Sequence, residues 1–370
     1  ACLDPGAAAA DPLGVPHGAR AVRPLARMTA PAQDPAAPIE IEDVPCTGCG
    51  AHDDEVLFEG REHEYRNTTN NPFPIVRCKA CGLVRLNPRP AVSELGRIYP
   101  PEYYAYHLVH DEADRPRRFS PGALGERIKT RRYQKRFRKL LERAAPGSAP
   151  ARVLDVGCAD GRLLTWYRDA VPGRTIETYG IDIGEEAVER AKRAGHVAVA
   201  GRFEVDTQLP DGTFDLIVAS HVIEHVDDPV GFARRAAQLL KPGGLFMFAT
   251  PNVDSADVRR FGRFWGGWHF PRHWTLYDPQ SAQRLAEQVG LSLESISYEV
   301  NPVFWNWTCH AWLRERRGDD FADKVFPPVS IFQPSPRSFV LLSIFTIVDI
   351  LQKLITGRTG SMQVELRRPV

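Results

Sequence analysis

A glycine turn between a predicted strand and a predicted helix has the residue types that a nucleotide site needs. The apolar run 153–156 ends in Gly157, and Gly161 closes the turn just before a helix-favouring segment at 162–169. Glycines at these points let the backbone approach a ligand where a Cβ atom would clash. A second short strand further on ends in Asp182. A carboxylate in that position is placed to accept hydrogen bonds from ribose hydroxyls.

Four cysteines form a second chemical pattern, in which Cys-x-x-Cys-Gly occurs twice. The first pair is Cys46 and Cys49, and the second is Cys78 and Cys81. Four thiolates on two such turns suit tetrahedral zinc, and a site whose four positions are all cysteine leaves none open for catalysis. We therefore expect a structural zinc held in a small ribbon, in preference to four free thiols paired by chance.

The elements that must position these groups alternate between strand and helix, with short connections. Predicted strands lie at 153–156, 179–182, 197–200, 214–220, 245–251, 293–300 and 362–366. Alternation of this kind is typical of a mostly parallel sheet covered by helices on both faces. The sequence therefore predicts an α/β fold with a doubly wound, seven-stranded, Rossmann-like sheet, accompanied by the small N-terminal zinc ribbon.

Composition divides the chain into four regions. Residues 1–38 are dominated by Ala and Pro and cannot bury enough surface to offset their ordering entropy, so we expect disorder there. The zinc ribbon is predicted at 39–90 and a helical lid or linker at 91–150. The catalytic domain is predicted at 151–370, with a substrate loop at 252–277.

Overall charge and targeting signals restrict the partners only weakly. The formal net charge is +1, which gives no global argument for nucleic acid. No N-terminal apolar stretch resembles a signal peptide, and Cys-x-x-Cys pairs suit a reducing compartment. We expect a cytoplasmic protein.

Two segments outside the turn could contact other surfaces. The segment 115–143 is rich in Lys and Arg with partial helical spacing of apolar residues, which predicts a basic amphipathic helix. That helix has either a solvated face or a surface for phosphate groups or anionic lipid. The apolar segment 338–355 is long enough to span a membrane but carries Asp349, Gln352 and Lys353. A helix buried on the domain, in a dimer or as a substrate lid is favoured over an interfacial helix, and a transmembrane helix is the least favoured of the three.

Five motifs give the sequence a family resemblance. In chain order they read Val-Leu-Asp-Val-Gly-Cys-Ala-Asp-Gly, Gly-Ile-Asp-Ile, Phe-Asp-Leu-Ile-Val, Ile-Glu-His-Val-Asp-Asp-Pro and Leu-Leu-Lys-Pro-Gly-Gly. As a set, between about residues 151 and 298, they resemble class I S-adenosylmethionine-dependent methyltransferases. The cysteine ribbon upstream and Phe-Pro-Arg-His-Trp downstream resemble a subgroup that often works in sugar, lipid or natural-product pathways.

The resemblance implies S-adenosylmethionine as cofactor and assigns residues to it. The turn residues Asp155, Gly157, Ala159 and Gly161 would surround the methionine portion, although Ala159 stands where the family usually has a glycine. The remaining assignments are Asp182 to the ribose, Ile183 to the adenine, Phe203 to the third-strand adenine position, and Ser220 and His221 to the methionine end.

Methyl transfer would need little from the protein beyond alignment. It is an in-line displacement, so alignment of the nucleophile supplies much of the acceleration, and a base is needed only if the nucleophile must lose a proton. Candidate bases are His225, in the Glu-His motif, and His269 and His273, in an aromatic loop after the fifth strand. We favour His273. Arg272 in the same loop could meet an anionic group.

The leading hypothesis is a methyltransferase acting on O or C of a small-molecule acceptor of the sugar, lipid-linked or natural-product type. N-methylation ranks lower because the Asp/Asn-Pro-Pro-Tyr motif is absent. The alternatives are an interaction protein with a cofactor-binding but inactive domain, and a nucleic-acid methyltransferase. We expect a monomer or homodimer, with membrane-surface contact through the basic helix and the 338–355 helix as a further possibility.

Overall fold

The computed structural model describes residues 37–65, 67–100, 103, 121–206, 209–328 and 336–370, with 121–126, 128 and 206 described by their backbone alone. Most of the segment predicted to be disordered, residues 1–36, lies outside the described residues. The first part of the predicted basic segment, residues 115–120, does so too.

The N-terminal part is a small antiparallel structure built around the cysteine pairs. Its strands are β1 (Ile41–Glu42), β2 (Asp54–Arg61), β3 (Pro72–Cys78), β4 (Val84–Leu86) and β5 (Arg89–Pro90). β2, β3 and β4 pair in that order, and β1 pairs with β5. A short helix, α1 (Leu95–Ile98), and a long one, α2 (Pro121–Ala144), follow.

The larger part contains the remaining elements. In chain order they are β6 (Ala151–Val156), α3 (Arg162–Arg168), β7 (Ile176–Asp182), α4 (Glu185–Arg193), β8 (Val197–Ala200), α5 (Phe203–Asp206), β9 (Phe214–Ser220), α6 (Pro229–Leu239), β10 (Leu240–Pro251), α7 (Ala256–Phe261), β11 (Thr275–Leu276), α8 (Pro279–Gln288), β12 (Ser292–Glu299), α9 (Pro302–Arg317), α10 (Asp319–Val325), α11 (Pro336–Thr356) and β13 (Ser361–Arg367).

Seven of these strands form one sheet in the order β12-β13-β10-β9-β6-β7-β8. β10, β9, β6, β7 and β8 run parallel, and β13 is antiparallel to both of its neighbours. Apolar side chains are buried on both faces, under α2 and α3 on one side and under α6 and α8 on the other. The predicted seven-stranded, doubly wound fold is confirmed.

The ribbon and the larger domain share a sheet. β11, which comes from the predicted substrate loop, pairs with β4 of the ribbon through Thr275 opposite Arg85 and Leu276 opposite Val84. Gly60 of β2 lies against the Phe270 ring so closely that an added Cβ atom would come within 2.1 Å of it. The pairing therefore crosses the boundary predicted from composition, and the ribbon forms one wall of the loop.

Helix α11 turns its apolar residues outward. Its buried side chains include Asp349 and Gln352, whereas large apolar side chains are exposed along its length: Phe339, Val340, Ile344, Ile347, Ile350, Leu351, Leu354 and Ile355. By length and hydropathy this helix could also cross a membrane, and 11% of its most apolar window is buried. The expectation that it is buried on the domain is wrong. The alternatives of a dimer contact, a lid or an interfacial helix stay predictions.

Candidate active site

The glycine turn after β6 has the backbone that its sequence predicts. Gly157 and Gly161 have φ of 79° and 77°, and an added Cβ atom would come within 2.7 Å of Val222 and of His196, respectively. Ala159 also has a positive φ, 47°, a conformation that costs strain in a residue with a Cβ atom. The turn is thus held in one shape by close packing beneath it.

Two carboxylates end the strands on either side of this turn. Asp182 accepts hydrogen bonds from the backbone N–H of Ala159 and of Gly184, both at 2.9 Å. Asp155 is buried, and burial together with the nearby Asp182 charge raises its pKa to about 8. Its Oδ2 atom has no hydrogen-bond partner among the described residues. A cationic group placed there would favour the charged form of Asp155.

The other residues predicted to bind the cofactor differ in accessibility. Ile183, directly after Asp182, is 59% exposed, and Ser220 at the end of β9 is exposed as well. The Phe203 ring is buried against Phe232, with ring centroids 4.9 Å apart, which leaves little of that ring for an adenine.

His221 ends β9 in a strained conformation and pairs with a buried carboxylate. Its φ is 56°, and its Nδ1 atom lies 3.0 Å from Oε1 of Glu224, whose side chain is fully buried. Burial alone would lower the pKa of His221, but the hydrogen bond and charge of Glu224 outweigh burial, so the pKa is raised. Strained non-glycine residues cluster at functional sites.

The structure brings together the three histidines predicted as bases. The His273 ring lies 4.7 Å from that of His225 and 4.9 Å from that of His269, measured between centroids. Burial lowers the pKa of all three, to about 4 for His225, about 3 for His269 and well below 6.5 for His273. They are neutral imidazoles near pH 7.

The region around this turn is similar to a known protein family. Residues 129–296 match the family described as Methyltransferase domain. The sheet that contains these residues is the Rossmann-like α/β sheet described above.

Curated relatives match about a third of the chain. A ubiquinone biosynthesis O-methyltransferase of Thiobacillus denitrificans is 34% identical over 116 residues, which are 29% of this chain and 47% of that protein. A probable S-adenosylmethionine-dependent methyltransferase of Mycolicibacterium smegmatis is 29% identical over 133 residues, 36% of this chain and 49% of that protein. The chain thus spans about half the length of the curated relatives it matches.

Solved structures match over a longer part of the chain at lower identity. A SAM-dependent methyltransferase from Archaeoglobus fulgidus has a TM-score of 0.40 and 16% identity, over 64% of this chain and 94% of that one.

The loop that carries His269 and His273 is fixed by a buried ion pair. Arg272 pairs with Glu62 of the ribbon, both fully buried, and its guanidinium lies 4.5 Å from the centre of the Tyr65 ring. Arg272 therefore meets an anionic group of its own chain. This ion pair joins the larger domain to the ribbon, because removing either partner would leave an uncompensated buried charge.

Tyrosines ahead of the domain cover the histidines. Tyr103 is buried 4.9 Å from Tyr99, and the Tyr99 hydroxyl lies 2.9 Å from Nδ1 of His225. These contacts agree with the lid predicted within 91–150, and they agree equally with packing between the ribbon and the larger domain. Tyr104 and Tyr106 lie outside the described residues.

The four cysteines fit a zinc ion. Sγ of Cys46 lies 3.6 Å from Sγ of Cys81, and Sγ of Cys49 lies 3.5 Å from Sγ of Cys78. Zn–S bonds of about 2.3 Å in a tetrahedron require sulfur atoms about 3.8 Å apart. The glycines after each pair both have a positive φ, which closes the two turns. Zinc bound here would be structural, because the thiolates fill its coordination shell.

Glu224 has no separate role in the prediction from sequence. Its backbone carbonyl accepts hydrogen bonds from the N–H groups of Trp274 and Thr275, at 2.8 and 3.2 Å. It therefore joins the turn after β9 to the aromatic loop. The signal that could have found it was its position between two histidines, three residues after one and directly before the other.

Proposed function

We propose that this chain is an S-adenosylmethionine-dependent methyltransferase that methylates a hydroxyl oxygen of a small-molecule acceptor. The match to a methyltransferase domain supports the reaction class, and the name of the Thiobacillus relative supports an oxygen acceptor. The observation that carries the proposal is the His221–Glu224 pair, because a hydroxyl must lose its proton during or after attack. A carbon acceptor is the second candidate.

Some residues of the chain would bind the cofactor and others would accept the proton. Asp182 would hold the ribose hydroxyls and Ile183 the adenine, and Asp155 would face the ammonium group of the methionine portion. S-adenosylmethionine supplies the electrophilic methyl group. The Nδ1 atom of His221 is engaged by Glu224, which leaves Nε2 to accept the acceptor proton while Glu224 stabilises the resulting imidazolium.

A cleft beside these residues could admit an acceptor. It lies between α2 and the sheet, where Tyr133, Arg136, Tyr167, Ser220 and Glu299 supply its polar groups. Ser220 directly precedes His221, so the cleft adjoins the proposed base. Its mixture of aromatic, aliphatic and charged groups suits a partly apolar hydroxyl compound.

The test is methyl transfer from labelled S-adenosylmethionine to a panel of catechols, phenols and sugars. We expect a methyl ether with at least one member, and we expect His221→Asn to lower the turnover number about 100-fold, the range of general-base catalysis. Its affinity for S-adenosylmethionine should fall far less than its turnover number, since Asn keeps a polar side chain at the methionine end, where the family resemblance places His221.

His52→Asn, at an exposed ribbon histidine, is the control and should behave as wild type. Unchanged turnover in His221→Asn would contradict the base assignment. Cofactor binding without transfer to any acceptor would favour the inactive-domain alternative, and methylation confined to RNA or DNA would favour the nucleic-acid alternative.

A further inference from the structure

We infer that Glu224, His225 and His273 form a binding site for a divalent transition-metal ion, separate from the cysteine site. One carboxylate oxygen and one ring nitrogen of each histidine lie within 4.8 Å of one another. Glu224 is fully buried and His273 nearly so, while His225 is partly exposed. The three residues come from two segments, the turn after β9 and the aromatic loop.

The hydrogen bonds of the two imidazoles bear on which nitrogens are free to bind a metal. Nδ1 of His273 lies 2.7 Å from the carbonyl oxygen of Gly267, which only accepts, so this Nδ1 carries the proton and Nε2 of His273 carries a lone pair. Nδ1 of His225 lies 3.2 Å from the carbonyl oxygen of Arg272 and 2.9 Å from the Tyr99 hydroxyl, and donation to that carbonyl would leave Nε2 of His225 with a lone pair as well. Metal-bound histidines usually donate their other N–H to a carbonyl or carboxylate in this way.

Glu224 adds a carboxylate oxygen, which can only accept hydrogen bonds. Oε1 of Glu224 is taken by His221, and Oε2 is buried with no hydrogen-bond partner among the described residues. Buried polar atoms are normally satisfied. A cation bound between the three residues would satisfy Oε2 of Glu224 together with one ring nitrogen of each histidine.

The ligand types restrict the ion. Two imidazoles and one carboxylate, with a further position open, are typical of catalytic zinc and related first-row ions and unlike the all-oxygen sites of Mg²⁺ and Ca²⁺. An ion here could bind the acceptor oxygen and lower the pKa of its hydroxyl beside His221. That role rests on the proposed function, but the existence of the site does not.

Metal content tests the site directly. After loading the full chain with Zn²⁺ and dialysis, we expect two equivalents in the wild type, one in the cysteine site and one here. Glu224→Gln and His225→Asn should each hold one equivalent, because loss of one of three ligands weakens binding strongly. His310→Gln removes a histidine bonded to Asp323 elsewhere and should retain two.

Affinity for S-adenosylmethionine, measured on the same samples, reports whether each variant is folded. Two equivalents in both ligand variants, or one equivalent in a wild type that binds the cofactor, would overturn the site. Methyl transfer at an unchanged rate by His225→Asn with one equivalent bound would overturn the catalytic role of the ion and leave the proposed function standing, because His225 takes no part in the His221–Glu224 pair.

A second inference concerns α11 and is independent of the metal site. We propose that this helix lies in the plane of an anionic lipid surface. The polar residues of the helix face the protein, since Asp349 accepts from the Asn301 N–H at 2.6 Å and Gln352 donates to Asp257 at 2.9 Å. Its outward face is apolar along the whole length. This inverts the usual pattern of a surface helix, whose apolar stripe faces the core.

Positive charge adjoins the apolar face. The basic helix α2 and α11 both contact the end of β12, where Arg136 pairs with Glu299 and Lys353 donates to the carbonyl oxygen of Tyr298. The exposed bases of α2 include Arg127, Arg131, Arg132, Lys135, Arg138 and Lys139. Apolar area beside a basic surface is what binds anionic lipid interfaces.

Two observations favour a helix in the plane of a lipid surface over a membrane-spanning helix and over a contact with a second copy of the chain. Arg337 at its start donates to the carbonyl oxygen of Val325, and the sheet strand β13 begins soon after its end, so both ends are held on one domain. A second copy paired through this face would bring two basic helices near each other, and their like charges would oppose association.

Vesicle flotation tests the proposal. We expect the full chain to float with phosphatidylglycerol-containing vesicles and not with pure phosphatidylcholine. Ile347→Ser with Leu351→Ser should reduce binding at least about tenfold, since two exposed aliphatic side chains would no longer be buried in the lipid interface. Val56→Ser, at an equally exposed valine in the ribbon, should bind as wild type.

Absence of flotation with anionic vesicles would overturn the lipid assignment. So would a lipid-free dimer that the double variant converts to a monomer, because a second copy would then cover the face.

Discussion

Replacement of Asp182 by alanine is expected to weaken S-adenosylmethionine binding at least about 100-fold. Hydrogen bonds to a charged group contribute about 1.5–3 kcal/mol each, and two ribose hydroxyls would lose theirs. The variant would also leave the N–H groups of Ala159 and Gly184 without their present acceptor, which loosens the turn. Isothermal titration of the full chain with the cofactor measures the change.

Two further variants separate these effects. Asp182→Asn keeps an oxygen for the Ala159 N–H but removes the charge, so its affinity should lie between wild type and alanine. Asp211→Ala, at an exposed aspartate paired with Arg235, should leave the affinity unchanged. A dissociation constant for Asp182→Ala within threefold of wild type would contradict the ribose assignment.

Cys78→Ser is expected to unfold the ribbon and stop methyl transfer while leaving cofactor affinity largely intact. Structural zinc contributes about 10–16 kcal/mol to the folding of small zinc domains. That exceeds what the short strands β2, β3 and β4 could supply alone, so the strands should melt. β11 would lose its partner strand, and the loop with His269 and His273 would lose its support.

Hydrogen exchange and zinc content test this expectation. Exchange should rise at 54–86 and 262–277 and stay slow in β6, β7 and β9. Cys309→Ser, at a partly buried cysteine of α9, should keep the zinc and the wild-type exchange pattern. Loss of cofactor binding in Cys78→Ser would mean that the zinc site also supports the glycine turn, contrary to the prediction.

Local signals predicted most of the sheet. The strands β6 and β9 are mostly apolar runs that end at a glycine or a serine, and β7 ends in the Gly-Ile-Asp motif, so their chain positions were accessible from the sequence within a few residues. The spacing of the cysteines likewise predicted a cluster because backbone turns of that length are nearly fixed. These features depend on neighbours close in the chain.

Features made by distant residues were not accessible. β11 has two residues, too few for a periodic signal, and it exists because β4 offers it an edge. His225 and His273 lie 48 positions apart, and only the folded loop brings their rings together. The hydropathy of α11 predicted a helix but not that Asp349 and Gln352 would turn inward, because that depends on Asn301 and Asp257.

The strand that the predicted substrate loop adds to the ribbon limits how either segment could be exchanged for that of a relative. Since β4 and β11 pair, and Arg272 of the same loop pairs with Glu62, a loop taken from a relative would meet a foreign edge and a foreign counter-ion. A chimera designed to change acceptor preference would need to take the ribbon and the loop from the same relative. Evolution faces the same constraint, so the ribbon and the loop should diverge together while the cofactor half changes at its own pace.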